Sequence, residues 1–465
     1  MVDKKQKALV ISKREGAFAA VNSGIVQNFI IPFALVLQTT NFLIGILSSF
    51  IGLIGPIAQI SNSRLMERYT RKKIILVSAL IQIFILIPII VLGILFYFDI
   101  FVGALPILLI LFYSLYVAIG AVNAPIWFSW MGDLVPEKYR GDYFSKRNRL
   151  IGTIAMVSIL IGGFFLDFFK TQGLALFGFA ILFFIAFIAR FISIIILSKQ
   201  YHPNFKLKKG YYFSFYDFIK YSPKNNFGRF AIFVGAMYLA IAIASPFFTV
   251  HMLKELEYSY ALFTIVNLSA SVFSLMTLSF WGKFADKYGN HLVLKICSFF
   301  IPLVPLLWML SPNPFYLIFV PSLISGIFWG GFNLSVLNFI YDSTKPEHRA
   351  LCNAYTNVLR GFGVFFGGLI GAGIVKFVQV DFLPNIFLFI FLVSGIARYL
   401  VVFIFMPSFK EVRATKRPPI LIRELKHIGN VEHGVHHFRD SLFQDSYLFY
   451  GPAKHVRKTM DMIFP

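Results

Sequence analysis

Twelve long apolar runs, almost free of charge, dominate this sequence and remove most of the architectures open to a chain of 465 residues. They cover about residues 17–38, 41–60, 74–96, 103–130, 150–169, 174–197, 229–252, 259–281, 293–310, 315–341, 358–379 and 384–406. Each approaches the roughly 20 apolar residues that cross about 30 Å of hydrocarbon. Within hydrocarbon, backbone polar groups must be satisfied by the chain itself, so such runs are helices. Pro32, Pro88, Pro125, Pro246, Pro302 and Pro305 fall inside them, at sites where neighbouring helices can serve the carbonyls that a proline frees. Only 14% of residues are charged and 58% are hydrophobic, whereas a soluble chain carries about 25% charge. The expected fold class is an all-α membrane protein with twelve transmembrane helices, numbered here as spans 1 to 12.

The bases fix an expected orientation. With the amino terminus cytoplasmic, the segments facing inward hold 38 of the 43 Lys and Arg residues. Lys170, Lys254 and Lys376 fall at the outer ends, while Arg190 and Arg398 fall within spans 6 and 12. This is the positive-inside pattern, and it places both termini in the cytoplasm. The net charge of +22 then reflects orientation and anionic lipid headgroups, and nucleic acid need not be invoked. "MVDKKQKALVISKREG" lacks the apolar core and cleavage site of a signal peptide, so span 1 is expected to stay in a multi-pass protein of the plasma membrane. Cys297 and Cys352 lie far apart and form neither a disulfide framework nor a metal knuckle.

The chain also repeats itself. "NSRLMERYTRKKIIL" at 62–76 returns as "WGKFADKYGNHLVL" at 281–294, with Ser63 against Gly282, Glu67 against Asp286, Arg68 against Lys287 and Thr70 against Gly289. "GAVN" at 120–123 matches "GGFN" at 330–333, and Pro136 and Glu137 match Pro346 and Glu347. "NRLIG" at 148–152 matches "NVLRG" at 357–361, and "IARF" at 188–191 matches "IARY" at 396–399. Chance rarely holds so similar a spacing across five sites. The expected organisation is therefore a cytoplasmic N-terminus (1–15), a six-helix bundle (16–197), a linker (198–228), a second bundle (229–408) and a basic tail (409–465). Each half has an even number of spans, so the two share one orientation as a parallel, pseudo-symmetric repeat.

At about residues 15 to 408 the sequence resembles the major facilitator superfamily. "GKFADKYG" matches the family's loop motif, and "SRLMERYT" is a degenerate copy in which Ser63 and Thr70 replace glycines. The resemblance implies rocker-switch transport through a cavity lined mainly by spans 1, 4, 7 and 10. It also implies a gate in which the loop acid of one half meets a helix end of the other. Glu67, with Arg68 beside it, would face the start of span 11 near Arg349 and Arg360. Asp286, with Lys287, would face the start of span 5 near Arg147 and Arg149. The plainer reading leaves these loop charges as topology anchors.

On the lining spans, the polar and aromatic candidates for substrate contact are Asn22, Gln27, Asn28, Asn123, Trp127, Tyr238, Asn333 and Asn338. An unpaired amide in mid-span is costly, so each needs a partner or a substrate. The surrounding Phe, Ile and Trp point to an uncharged or amphipathic organic solute. No acid is expected in the middle of a span: sixteen lie in cytoplasmic segments, and Asp99, Asp167, Glu255, Glu257 and Asp381 lie at outer ends. Facilitated diffusion, or coupling through Asp167, is what remains. Arg190 and Arg398 either bind anions or, as the blander reading has it, snorkel or hold a cytoplasmic loop.

"YYFSFYDFIKYS" at 211–222 reads as an interfacial helix. His433, His436 and His437 cluster in the tail, but zinc needs about four convergent ligands, so no metal is expected. No catalytic constellation or phosphate loop is present, and neither enzyme activity nor a cofactor is expected. The leading expectation is a solute carrier, functional as a monomer. The alternative is a transporter-shaped sensor or scaffold that works through its tail.

Overall fold

The computed structural model describes residues 2–60, 62–136, 140–203, 215–345 and 348–413. Glu137, Pro346, Glu347, linker residues 204–214 and the tail from 414, with His433, His436 and His437, lie outside the described residues, as does the side chain of Ser63.

Twelve helical segments are long and apolar enough to cross a membrane: Lys4–Val36, Asn41–Gln59, Arg71–Tyr97, Leu105–Leu134, Tyr143–Thr171 and Ala175–Ser198, then Asn226–Glu255, Tyr260–Tyr288, Asn290–Leu307, Pro314–Ser343, Leu351–Phe377 and Ile386–Ser408. They correspond in order to spans 1 to 12. Large apolar side chains such as Phe84, Ile107, Phe164 and Met276 stand exposed along them, an outer surface suited to hydrocarbon. The chain is a multi-pass membrane protein.

Span 1 corrects the sequence reading. Its helix starts near Lys4 rather than at 17 and carries Glu15 inside it, an acid that the sequence reading left in a cytoplasmic terminus. Ala8, Ser12, Glu15, Gly16 and Ala20 form a buried stripe at helical spacing. Small and polar residues make that stripe, and hydropathy alone does not register them. Span 5 likewise begins earlier than 150 and takes Arg147 and Arg149 into the helix.

Helix starts follow local chemistry. Thr70 caps span 3 by accepting from the Lys73 amide, Asn225 caps span 7 from Gly228, and Asn385 caps span 12 from Leu388. Breaks follow proline. Span 7 is regular over Asn226–Ala242 and resumes at Ser245–Val250, because Pro246 offers no N–H to the Ala242 carbonyl. Span 9 breaks between Asn290–Phe300 and Leu303–Leu307. There Pro305 leaves the Ile301 carbonyl without its usual amide donor, and Arg398 Nη1 donates to it at 3.3 Å. Arg398 is 3% exposed and also donates to Ser394 Oγ at 3.1 Å, so this arginine mends a helix break and does not snorkel.

Packing divides the chain into two units. The first is Met1–Lys209 with Ser245–Leu268 and Gly368–Val378; the second is Gly210–Ala244 with Ser269–Gly367 and Gln379–Pro465. The first six spans therefore pack with the base-poor ends of spans 7, 8 and 11. Within the second unit, spans 7 and 11 approach closely: a Cβ on Gly363 would lie 2.2 Å from the Gly235 carbonyl oxygen. The short helix Phe215–Tyr221 belongs to this unit. It buries Phe218 against Phe227 and Tyr355 and leaves Tyr216 exposed, so one face is packed and the other free for an interface.

Candidate functional site

The first unit holds a buried ionic cluster at the basic end. Glu15 of span 1 is 5% exposed. Its Oε2 lies 3.6 Å from Arg147 Nη2 of span 5, and its Oε1 lies 3.8 Å from Arg190 Nη1 of span 6. Ser193 Oγ donates to Glu15 Oε1 at 3.0 Å, and Arg147 Nε donates to the Ser12 carbonyl at 3.4 Å. The Arg147 guanidinium rests 3.9 Å over the ring of Trp127 on span 4. The cluster thus joins spans 1, 4, 5 and 6, with two guanidiniums to one carboxylate. Arg190 takes neither of the roles read from the sequence, since its partner is a carboxylate on span 1. Trp127 Nε1 and Arg190 Nε are buried without a hydrogen-bond partner.

Above this cluster the amides divide. Asn22 is buried and spent within the unit: its Nδ2 donates to the Ala186 carbonyl at 3.1 Å, and its Oδ1 accepts from Tyr116 Oη at 2.6 Å. That makes it a brace between spans 1, 4 and 6. Asn123 Oδ1 accepts from Ser78 Oγ, while its Nδ2 has no partner. Asn28 turns back to the Gly24 carbonyl at 2.9 Å. Gln27 is exposed.

The second unit repeats the arginine-on-aromatic arrangement. Arg360 of span 11 lies 3.9 Å over the ring of Tyr238 on span 7. Tyr238 Oη donates to Asn333 Oδ1 at 3.4 Å, and Trp329 packs 6.0 Å from the same ring. Asn333 is exposed and Asn338 half-buried. In each unit, therefore, a residue assigned from sequence to gating sits on one assigned to substrate contact.

The remaining gating candidates lie near the basic ends of their own units. Glu67, Arg68 and Arg149 are exposed. Arg349 donates to the Thr344 carbonyl at 3.3 Å and lies 5.4 Å over Tyr341. Asp286 is 3.8 Å from Arg413, which also reaches Asp342 at 3.8 Å, and Lys287 lies over Tyr288. Sequence reasoning missed a matched pair of contacts here. Arg71 Nη2 donates to Asp133 Oδ2 at 2.6 Å, and at the equivalent place Asn290 Nδ2 donates to Asp342 Oδ2 at 2.8 Å. The signal was available, since Asp133 and Asp342 sit ten and nine residues past the asparagines of "GAVN" and "GGFN".

At the base-poor end, Asp167 of span 5 accepts from the amides of Tyr260 at 2.6 Å and Ala261 at 2.9 Å, so it caps the amino terminus of span 8. Gly163, one turn away, lets the two helices meet: a Cβ there would lie 2.5 Å from Thr264 Oγ1 and 2.9 Å from the Tyr260 carbonyl oxygen. Spans 2 and 11 cross in the same way at Gly45, whose Cβ would lie 2.7 Å from that of Ala372. Among the described residues, no three His, Cys, Asp or Glu side chains come together as a metal would require.

A family model described as the Major Facilitator Superfamily matches residues 230–450. A sequence comparison with curated proteins finds no match. Among solved structures, a mutant of the nucleoside transporter NupG superposes with a TM-score of 0.65 at 15% identity, covering 87% of this chain and 100% of that one. A bacterial homologue of the iron transporter ferroportin, in its inward-facing state, gives 0.63 at 13% identity over 87% and 98%. A bacterial metal transporter gives 0.57 at 14% identity over 87% and 98%. At such identities the likeness is one of fold.

Proposed function

We propose that this chain, whose residues 230–450 match a Major Facilitator Superfamily model, is a member of that family and a carrier moving an uncharged or amphipathic organic solute across the plasma membrane by rocker-switch alternating access. The basic end faces the cytoplasm in this reading, with both termini there. The observation that carries the solute class is the arginine lying 3.9 Å over an aromatic ring in each unit, Arg147 on Trp127 and Arg360 on Tyr238. A guanidinium stacked on an aromatic face presents an apolar plane and a fixed positive edge together, which suits a planar or amphipathic molecule with a polar group. Proteins of similar fold include a nucleoside transporter, a bacterial homologue of an iron transporter and a bacterial metal transporter. The Glu15 cluster carries more positive than negative charge, which repels a metal cation and favours the organic reading.

The test is uptake by the full chain in proteoliposomes, with nucleosides, aromatic carboxylates, sugars and divalent metals as candidate solutes. Uptake of one organic class is expected. Trp127→Ala and Tyr238→Ala should each lower it about tenfold, the scale of an aromatic stacking or cation–π contact. Full activity in both variants, or uptake confined to metals, would overturn the reading. Removing residues from 414 onward should leave uptake intact; the cut begins there because Glu411 accepts from the His291 amide at 2.8 Å and Arg413 pairs with Asp286. If the truncation instead abolished every effect of the protein while the helical body stayed folded, the working part would be the tail, as in a sensor or scaffold.

A further inference from the structure

Three of the forty-three bases, Lys170, Lys254 and Lys376, stand at the base-poor end of the molecule outside any span interior. Bases there oppose the charge asymmetry that orients the chain, so topology does not account for them. All three line a single cavity of about 950 Å³ in the first unit. Its floor is the turn between spans 1 and 2, and its walls come from the ends of spans 5, 7, 8 and 11. We propose that this cavity is a binding site for an anionic oxyacid group, phosphate or carboxylate, carried on a short apolar body.

Four observations meet there. The positive charge is concentrated and uncompensated. Among the described residues none of the three lysines has an ion-pair partner, and no carboxylate lines the cavity. Three acids lie within three residues of these lysines in sequence: Asp167 is spent on the amides of Tyr260 and Ala261, while Glu255 and Glu257, next to Lys254, stand exposed, line no part of the cavity and pair with none of the three. The ammonium groups are also held: Lys170 lies 5.4 Å over the Tyr260 ring and Lys376 lies 4.6 Å over that of Phe42. Pairing with a ring face leaves the remaining ammonium protons free for an anion.

A polar atom waits in the wall. Thr39 lines the cavity at 6% exposure, and its hydroxyl has no partner. A buried hydroxyl without a hydrogen bond is costly, and an oxyanion would accept from it. The Asn41 amide oxygen is also unpaired; turning the amide over presents its NH2 group instead. The rest of the lining gives the ligand its second property. Pro32, Leu35, Leu43, Leu253 and Val375 are apolar, so a bare inorganic ion would leave most of the wall unused. The volume lies within the range of small-molecule sites, about 300–1,000 Å³.

The same chemistry can arrive from solution or as the headgroup of an anionic lipid, and one experiment separates these sources. The full-length protein is reconstituted in nanodiscs of phosphatidylcholine, and its lysines are acylated for timed intervals and read by mass spectrometry. Hexyl phosphate is the probe. It is expected to slow acylation of Lys170, Lys254 and Lys376 at least fivefold and to leave Lys287, exposed in the second unit, unchanged. Hexyltrimethylammonium should protect none. Protection that appears without the probe in discs containing phosphatidylglycerol assigns the site to lipid; protection only with hexyl phosphate assigns it to a soluble anion. Thr39→Val, which keeps shape and removes the hydroxyl, should weaken protection about fivefold without lowering the melting temperature. Lys254→Gln should weaken it further at the two remaining lysines. No protection under either condition, equal protection by the cation, or equal protection of Lys287 would overturn the proposal. The readout needs no transport, so it stands or fails separately from the carrier reading.

Discussion

Glu15→Gln should lower the stability of the folded protein by about 3–5 kcal/mol, the cost of removing one partner from a buried ion cluster. The carboxylate is 5% exposed and faces two guanidiniums, at 3.6 Å and 3.8 Å. An amide keeps the shape and the acceptance from Ser193, but it leaves Arg147 and Arg190 charged, buried and facing each other without compensation. A solvent-exposed pair would give a different result, since such pairs contribute only about 0–1 kcal/mol. The measurement is thermal unfolding in detergent, paired with Arg190→Gln and the double variant. The double variant should lose less than the sum of the singles, because removing the second arginine relieves part of the repulsion that Glu15→Gln creates. Strict additivity, or a midpoint for Glu15→Gln equal to that of the parent, would mean that the cluster does not hold spans 1, 5 and 6 together. Glu15→Asp should lie between, with charge kept and reach shortened.

The contrast between Glu15 and the rest of the fold shows what a single sequence reveals in a membrane protein. Twelve spans were legible because hydrocarbon tolerates little besides helix, so composition alone specifies the element. The repeat was legible because its copies sit at turns, where spacing is fixed by helix length. Glu15 was not legible. It sits among Lys13, Arg14 and Gly16, a context that reads as a water-facing terminus, and only the partners brought by spans 5 and 6 make it a buried charge. Arg190 and Arg398 were visible as anomalies, but their partners were not. One answers a carboxylate 175 residues away, and the other a carbonyl freed by a proline in span 9. The candidate site follows the same rule. Trp127 and Tyr238 were found by residue type and span, whereas the arginines stacked on them had been read as gate charges. Side-chain chemistry within one helix can be read from sequence; a pairing across helices depends on the crossing point, which glycines set and hydropathy does not report.

Asp167→Asn should release the base-poor end of span 8 from span 5 and shift the population of that contact toward the open form by about ten- to thirtyfold. The carboxylate accepts from two successive amides at the first turn of span 8, at 2.6 Å and 2.9 Å. A helix amino terminus carries partial positive charge, and a partly buried anion there contributes up to about 2 kcal/mol. At about 1.4 kcal/mol per tenfold, losing most of that energy gives the stated shift. Asparagine retains one acceptor oxygen, so one of the two amides loses its partner as well as the charge. In the carrier reading the contact belongs to a movable element, since residues 245–268 follow the linker in sequence yet pack with the first six spans. An acid that holds them there holds that end shut in the carrier reading, and opening it requires both amides to exchange Asp167 for water. Spin labels at Leu174 and Glu257, both exposed, report the opening as a longer pulsed-EPR distance. Gly163→Ala provides an independent push in the same direction, since its Cβ meets the Tyr260 carbonyl oxygen at 2.9 Å and backbone cannot yield as a side chain does. A longer distance in both variants supports the latch. If Asp167→Asn leaves the distribution unchanged while Gly163→Ala lengthens it, packing holds the contact and the charge does not. If neither moves it, this end of span 8 is a fixed part of the first unit, and the opening step of the carrier lies elsewhere.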